Sequence, residues 1–281
     1  MSVASEHTRE WDRSMKRTLW IVLTFLGLLA SLTADAHLPA GEPTAQEQLW
    51  LQWINRFRAD PAGELDRMVR YTQPGSGQTF ATPAADDPRV AGALTYFGVN
   101  AAVLRDQFDD LSPAPPLAWS LALHDSARYY SQLIIDRDQQ SHTLDGLGLL
   151  ERVQRHGGFD FTGGGGAGEN VFAFANSPWH AHAGFLVDWG ATADGIQDPP
   201  GHRASLINPD FREIGIAFLD ETDPNTRVGP HVTTQHLAVD LADGPYLTGA
   251  VYRDRDQNQF YSLGEGLGEM IVELLPLDSQ E

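Results

Sequence analysis

The order in which the periodicities occur constrains this chain most. Apolar residues recur at helical spacing through the first two-thirds. The two β-rich runs, Ile214 to Leu219 and Val232 to Leu241, come only afterwards. No strand–helix–strand alternation is visible. That argues for an α+β fold, with helices packed on an antiparallel sheet, rather than a doubly wound parallel sheet. At 281 residues and 42% hydrophobic content the chain has room for one large domain plus a small appendage.

Along the chain, Leu49, Trp53, Ile54, Phe57, Leu65 and Met68 mark one apolar stripe between Ala45 and Arg70. Asp60-Pro61 divides it, so two helices are expected, Asp60 capping the second and Pro61 at its first position. Residues 71–90 are rich in Gly, Pro, Ser, Thr and Asp and read as a loop. A short helix is expected around Val99 to Phe108, and the whole span 71–112 reads as an insertion. Pro115-Pro116-Leu117-Ala118-Trp119 is expected to start a second major helix running to about Asp136. A third spans Leu147 to His156, closed by Gly157-Gly158. Trp179 to Trp189 is expected to be helical and Arg203 to Ile207 a short helix or turn, with Asp198-Pro199-Pro200 as a breaker between them.

Composition narrows the partners. Net charge is −19, and it is still −19 without residues 1–36. Nucleic acid and anionic membrane surfaces demand positive patches and are not expected partners; divalent cations fit better. Lys16 is the only lysine and cysteine is absent, which excludes disulfides and thiolate metal sites. Met15-Lys16-Arg17, the apolar run Leu19 to Leu32 and Ala34-Asp35-Ala36 have the form of a secretory signal over residues 1–36, cleaved near Ala36. The apolar run, about 14 residues, falls short of the roughly 20 that span a bilayer, so the mature chain is expected to be secreted, or periplasmic, with no stable membrane span.

The densest stretch for chemistry runs from Gly163 to Arg203. The glycines Gly163 to Gly166, then Ala167-Gly168, lead into Glu169-Asn170, and Gly201-His202-Arg203 closes the stretch. Glycine tolerates φ > 0 and close backbone approach, so a close-packed loop aiming the Glu169 carboxylate is expected. Ser141-His142 stands before it and Asp188 within it. His124, His180 and His182 lie on apolar stretches and read as satisfied core residues. Asn170 reads as structural and Arg203 as a salt-bridge partner.

Six short motifs now stand in order: Ile54-Asn55-Arg56-Phe57-Arg58-Ala59-Asp60-Pro61, Pro115 to Trp119, Ser141-His142, Gly168-Glu169-Asn170, Gly201-His202-Arg203 and Glu213-Ile214-Gly215-Ile216. Residues 45–241 thereby resemble bacterial members of the CAP superfamily, also called SCP or pathogenesis-related protein 1 domains. The resemblance implies an α-β-α sandwich and a cleft lined by two histidines and two acids. By motif these are His142, Glu169, Asp188 (three residues after Phe185) and His202. The second acid is Asp where the family pattern has Glu, the stretch between His142 and Glu169 is long, and His231 rivals His202.

Two converging imidazoles, His142 and His202, suit Zn²⁺ or another divalent ion, with the carboxylates as ligands or as orienting partners. A His–carboxylate pair also suits a general base acting on water. No nucleophile motif and no His-Glu-x-x-His helix is present. The resemblance points to a secreted, non-enzymatic protein whose cleft binds a divalent ion, a small apolar ligand or an extracellular protein. The alternative is a secreted metal- or water-assisted, protease-like hydrolase using the same four residues.

Residues 246–281 change character and read as a strand at Tyr246 to Tyr252, an acidic loop, and a strand at Met270 to Leu275; the loop resembles the one that opens β-sandwich repeats on bacterial surface proteins, which implies a partial repeat. Asp254, Asp256, Asn258, Phe260, Ser262 and Glu265 occupy positions one, three, five, seven, nine and twelve of a Ca²⁺ loop, with Phe260 offering its carbonyl. Position six is Gln259 where an EF-hand has glycine.

Overall fold

A computed structural model describes residues 42–72, 82–242 and 244–273. All of them belong to one compact unit, 41–281; the signal expected at 1–36 falls outside the described residues. The described elements run α1 (Ala45–Ala59), α2 (Pro61–Met68), β1 (Arg70–Thr72), β2 (Thr82–Ala84), α3 (Pro88–Phe97), α4 (Ala101–Asp109), β3 (Ala118–Trp119), α5 (Leu121–Arg137), α6 (Leu149–Gly157), β4 (Gly165–Ala175), α7 (Pro178–Val187), α8 (Gly201–Ile207), β5 (Glu213–Asp220) and β6 (His231–Asp240).

The helix starts follow capping chemistry. Thr44 and Glu47 form a reciprocal capping box on α1, satisfying two N–H groups the helix cannot. Asp60 accepts from Gly63 N at 3.0 Å with Pro61 at the first helical position. The Asp87-Pro88 pair repeats this device at α3, and Ser177-Pro178 at α7. Helix α7 ends on Asp188 itself, held in the left-handed region at φ 58°.

Four strands form a sheet in the order β3-β5-β6-β4. The β5–β6 and β6–β4 pairs are antiparallel and β3–β5 is a two-residue parallel pair, so the sheet is mixed. Helices α5 and α6 cover one face; α1, α7 and α8 cover the other. Alternation along the strands sorts the cores: Ile214, Ile216 and Leu237 join Trp50, Phe57 and Phe185 on the α1–α7 side, while Val171, Ala173 and Val232 join Tyr130 and Ile134 on the α5 side. The result is an α+β sandwich with β4 on one edge.

Arg58 is fully buried at the end of α1, and its guanidinium donates to four carbonyls: Pro115, Leu206, Asn208 and Phe211. Burial lowers its pKa only to about 10, so it stays charged. Arg56, beside it, pairs with buried Glu64 and lies under the ring of Phe260, 4.2 Å away.

Four expectations change. Trp119 does not open a helix: Ala118 and Ser120 donate to Arg212 and Ile214 carbonyls, and the preceding prolines favour extended backbone. The span 71–90 is not all loop, because β2 and the start of α3 fall within it. The glycine run is not a loop from Gly165 on; Gly165 to Gly168 pair with Asp240 to Leu237, and a Cβ on Gly165 would lie 1.9 Å from Val239 O. In residues 244–273 the β structure is limited to one bridge, Tyr252 to Gly266. The expected second strand lies partly outside the described residues.

Candidate functional site

Two histidine–acid pairs sit at the β4 edge. In the first, Glu169 points to the α5–α6 side. Its Oε1 meets His142 Nδ1 at 2.7 Å. Its Oε2 takes Arg152 at 2.6 Å and His236 Nε2 at 2.8 Å. His236 faces Glu169 directly because the two are cross-strand partners. Arg152 is fixed in turn by Asp145, by the His142 carbonyl and by the ring of Tyr130, 3.7 Å from its Cζ.

Electrostatics follow from this packing. Burial pushes the Glu169 carboxyl up, but hydrogen bonds from His142 and His236 and the charge of Arg152 outweigh it and lower the pKa to about 2. Hydrogen bonds from Arg152 hold Asp145 below the usual carboxylate range as well. Burial lowers the His236 pKa, so its imidazole stays neutral and donates Nε2–H to Glu169. Burial pushes the Tyr130 phenol up to about 12.

In the second pair, Asp188 is completely buried at the end of α7. Its Oδ1 meets His202 Nδ1 at 2.6 Å, and its Oδ2 accepts from the backbone N–H groups of His202 (2.9 Å) and Arg203 (3.3 Å). The left-handed cap conformation, which Asp tolerates better than most residues, aims the carboxylate at the first turn of α8. Arg203 makes no salt bridge among the described residues. It donates to the Leu186 carbonyl, contacts Gln107 and lies against Phe108, and burial lowers its pKa to about 10.

Glu169 and Asn170 point to opposite sides of β4, because adjacent strand residues alternate. Asn170 meets the second pair: its amide donates to the His202 carbonyl at 3.3 Å and to Gln235 at 3.1 Å. Beside His202 lies a cavity of about 160 Å³ walled by Phe97, Phe172, Phe185, Trp189 and Gly184. His202 lines it; His142, Glu169 and Asp188 do not. His142 is instead 55% exposed. Among the described residues, no three of these histidines and acids bring ligating atoms within 4.8 Å of one another. His231 stands apart at the start of β6, paired with exposed Asp220 and stacked on Phe218.

The core histidines have local partners. His124 meets the Ile216 carbonyl, His180 accepts from Asn176 N, and His182 Nε2 meets buried Glu64 at 3.1 Å, while His182 Nδ1 has no hydrogen-bond partner among the described residues. Sequence reasoning missed His236, Arg152, Asp145 and Phe97. Only register and packing reveal the first three, and Phe97 comes from the insertion.

At the C-terminal loop, Asp254, Asp256 and Glu265 do bring carboxylate oxygens within 4.8 Å of one another. Glu265 is buried and accepts from Arg255, Asp256 and Ser262 N–H groups.

Comparison with known proteins follows this geometry. The profile of the family described as "CAP: Cysteine-rich secretory protein family" matches residues 53–237, and the chain belongs to that family. No curated protein gives a significant match. Among solved structures the chain is similar to an extracellular protein containing an SCP domain from Bacillus anthracis str. Ames, at 25% identity and TM-score 0.33. That likeness covers 48% of this chain and 36% of the other, so the chain spans little more than a third of that protein's length. It is also similar to an outer surface protein from Borrelia burgdorferi, at 16% identity and TM-score 0.34, over 61% of this chain and 98% of that one. No helix among the described residues is long and apolar enough to cross a membrane.

Proposed function

We propose that this CAP-domain protein works outside the cell as a binding protein, holding a small apolar ligand beside the Asp188–His202 pair without turning it over. The cavity carries this reading: Phe97, Phe172, Phe174, Phe185 and Trp189 all line it, and Gln140, Gln197 and His202 supply a few polar contacts at defined points. Glu169 speaks against catalysis, since a carboxyl held near pKa 2 and engaged by three side chains does not exchange protons near neutrality. The test is ligand retention. The full chain, purified and extracted with organic solvent, is expected to release a small apolar compound that His202→Ala loses. No retained compound, together with no binding of added apolar probes, would sink the reading.

A divalent ion is the second reading for the same residues. One observation favours it: in both pairs the carboxylate meets Nδ1, leaving Nε2 of His142 and His202 as the remaining ring nitrogen, as in a histidine ligand oriented by an acid. Elemental analysis of the wild type against His142→Ala and His202→Ala decides it. For the C-terminal loop the reading is Ca²⁺ on Asp254, Asp256 and Glu265, supported by their convergence. A Ca²⁺-dependent rise in thermal midpoint that Asp256→Ala abolishes is expected. The hydrolase alternative would use Nε2 of either histidine as base on water, and turnover lost in His142→Ala or His202→Ala would favour it.

A further inference from the structure

We infer that the cavity beside His202 is a one-ring site that takes a phenolic group, its hydroxyl donating to Nε2 of His202. The inference rests on the reading of this cleft as a ligand site and names the ligand's chemistry.

Size comes first. A volume of about 160 Å³ is close to the roughly 150 Å³ of an apolar cavity that holds one benzene. Helix α7 carries glycine where it passes the cavity. A Cβ at Gly184 would lie 3.1 Å from Trp189 and 3.2 Å from Phe172, tighter than ordinary contact, so a side chain there would press on two of the cavity's walls.

The walls favour a ring over a saturated chain. Phe172 stands edge-on to both Phe185 (63°) and Trp189 (72°), while Phe97 and Trp189 are parallel, with centroids 6.4 Å apart. Ring faces and edges are both on offer to a further ring, which gains from such contacts beyond its buried area. Phe97 ends α3 in the insertion, which is anchored to the loop after Trp189 by Asn100 N–H donating to the Asp194 carbonyl.

Polarity fixes the substituent. Asp188 Oδ1 meets His202 Nδ1 at 2.6 Å, and in the tautomer that donates Nδ1–H to this carboxylate Nε2 is an acceptor. A ligand that bonds this nitrogen then brings the donor. Gln140 also lines the cavity, and its Oε1 already accepts from Ala173 N–H, which leaves its amide N–H groups for a ligand oxygen. A phenol O–H can donate to the one and accept from the other; an ether cannot donate.

The test is equilibrium binding of four probes to the full chain: phenol, cyclohexanol, methoxybenzene and hexan-1-ol. Phenol is expected to bind tightest, about two- to tenfold over cyclohexanol through the ring contacts. A similar margin over methoxybenzene is expected from the donated hydrogen bond. Phe97→Ala and Gly184→Ala, one opening the wall and one narrowing the space, should each weaken phenol at least about threefold while thermal unfolding shows both fold. Cyclohexanol or hexan-1-ol binding as well as phenol, methoxybenzene matching it, or both variants binding like wild type would each overturn the one-ring assignment and leave the apolar-ligand reading standing. Binding of none of the four would overturn both.

Discussion

The two histidine–acid pairs look equivalent in sequence and are built by opposite means. Glu169 is held by side chains alone, from α6, β6 and the turn before α6. Asp188 is held by the backbone of the next helix and by its own left-handed cap, with one side-chain partner. The first is a charge-compensated network whose histidine faces solvent. The second is an anchored carboxylate whose histidine faces a cavity. A shared residue type therefore says little about a shared role; what surrounds the acid decides whether its histidine is free to meet a ligand.

The sharpest way to break the contrast is Arg152→Met. It strands two nearly buried carboxylates, Glu169 and Asp145, and is expected to cost about 3–5 kcal/mol in denaturant unfolding. The corresponding change on the other side, Asp188→Ala, should cost about 2–4 kcal/mol, combining lost charge-assisted hydrogen bonds with a left-handed alanine. Asp188→Gly should recover about 1 kcal/mol of that, because glycine adopts φ > 0 freely. If Gly and Ala variants are equally stable, the cap conformation has no role in placing this acid.

Acid titration sharpens the contrast further. A carboxyl whose folded pKa is depressed stabilises the fold above its unfolded value and loses that contribution as pH falls through the folded value. For Glu169 the window runs from about 4.5 down to about 2. The wild type should lose stability across it, by on the order of 2–3 kcal/mol, and Glu169→Gln should flatten that part of the curve. The smallest effect belongs to His142→Ala: within about 1 kcal/mol in stability, and phenol affinity unchanged, since His142 is exposed and does not line the cavity. A large drop in affinity would join the two pairs into one site after all.

How much of this was legible depended on how local each signal was. Asp60-Pro61 states a helix start in two adjacent residues, and the structure has that start. Gly158 closes α6 as its position suggests. His236 was invisible because its role comes from the register that sets it opposite Glu169, and no pattern of adjacent residues fixes register. Arg152 sits in a helix whose last turn also carries Arg155 and His156, and no local pattern sets its charge apart from theirs. The strand β3 is two residues long and follows prolines, too short for any periodicity. Phe97 was hidden because the segment carrying it read as an insertion with no part in the site.

Arg58 has a consequence for how the chain comes together. Its side chain belongs to the first helix of the domain, but its acceptors lie 57, 148, 150 and 153 residues further on. Loops of that length close slowly, and their reward arrives only when both ends are present. The guanidinium of the opening helix therefore reaches its full set of acceptors only once the chain has been made as far as Phe211.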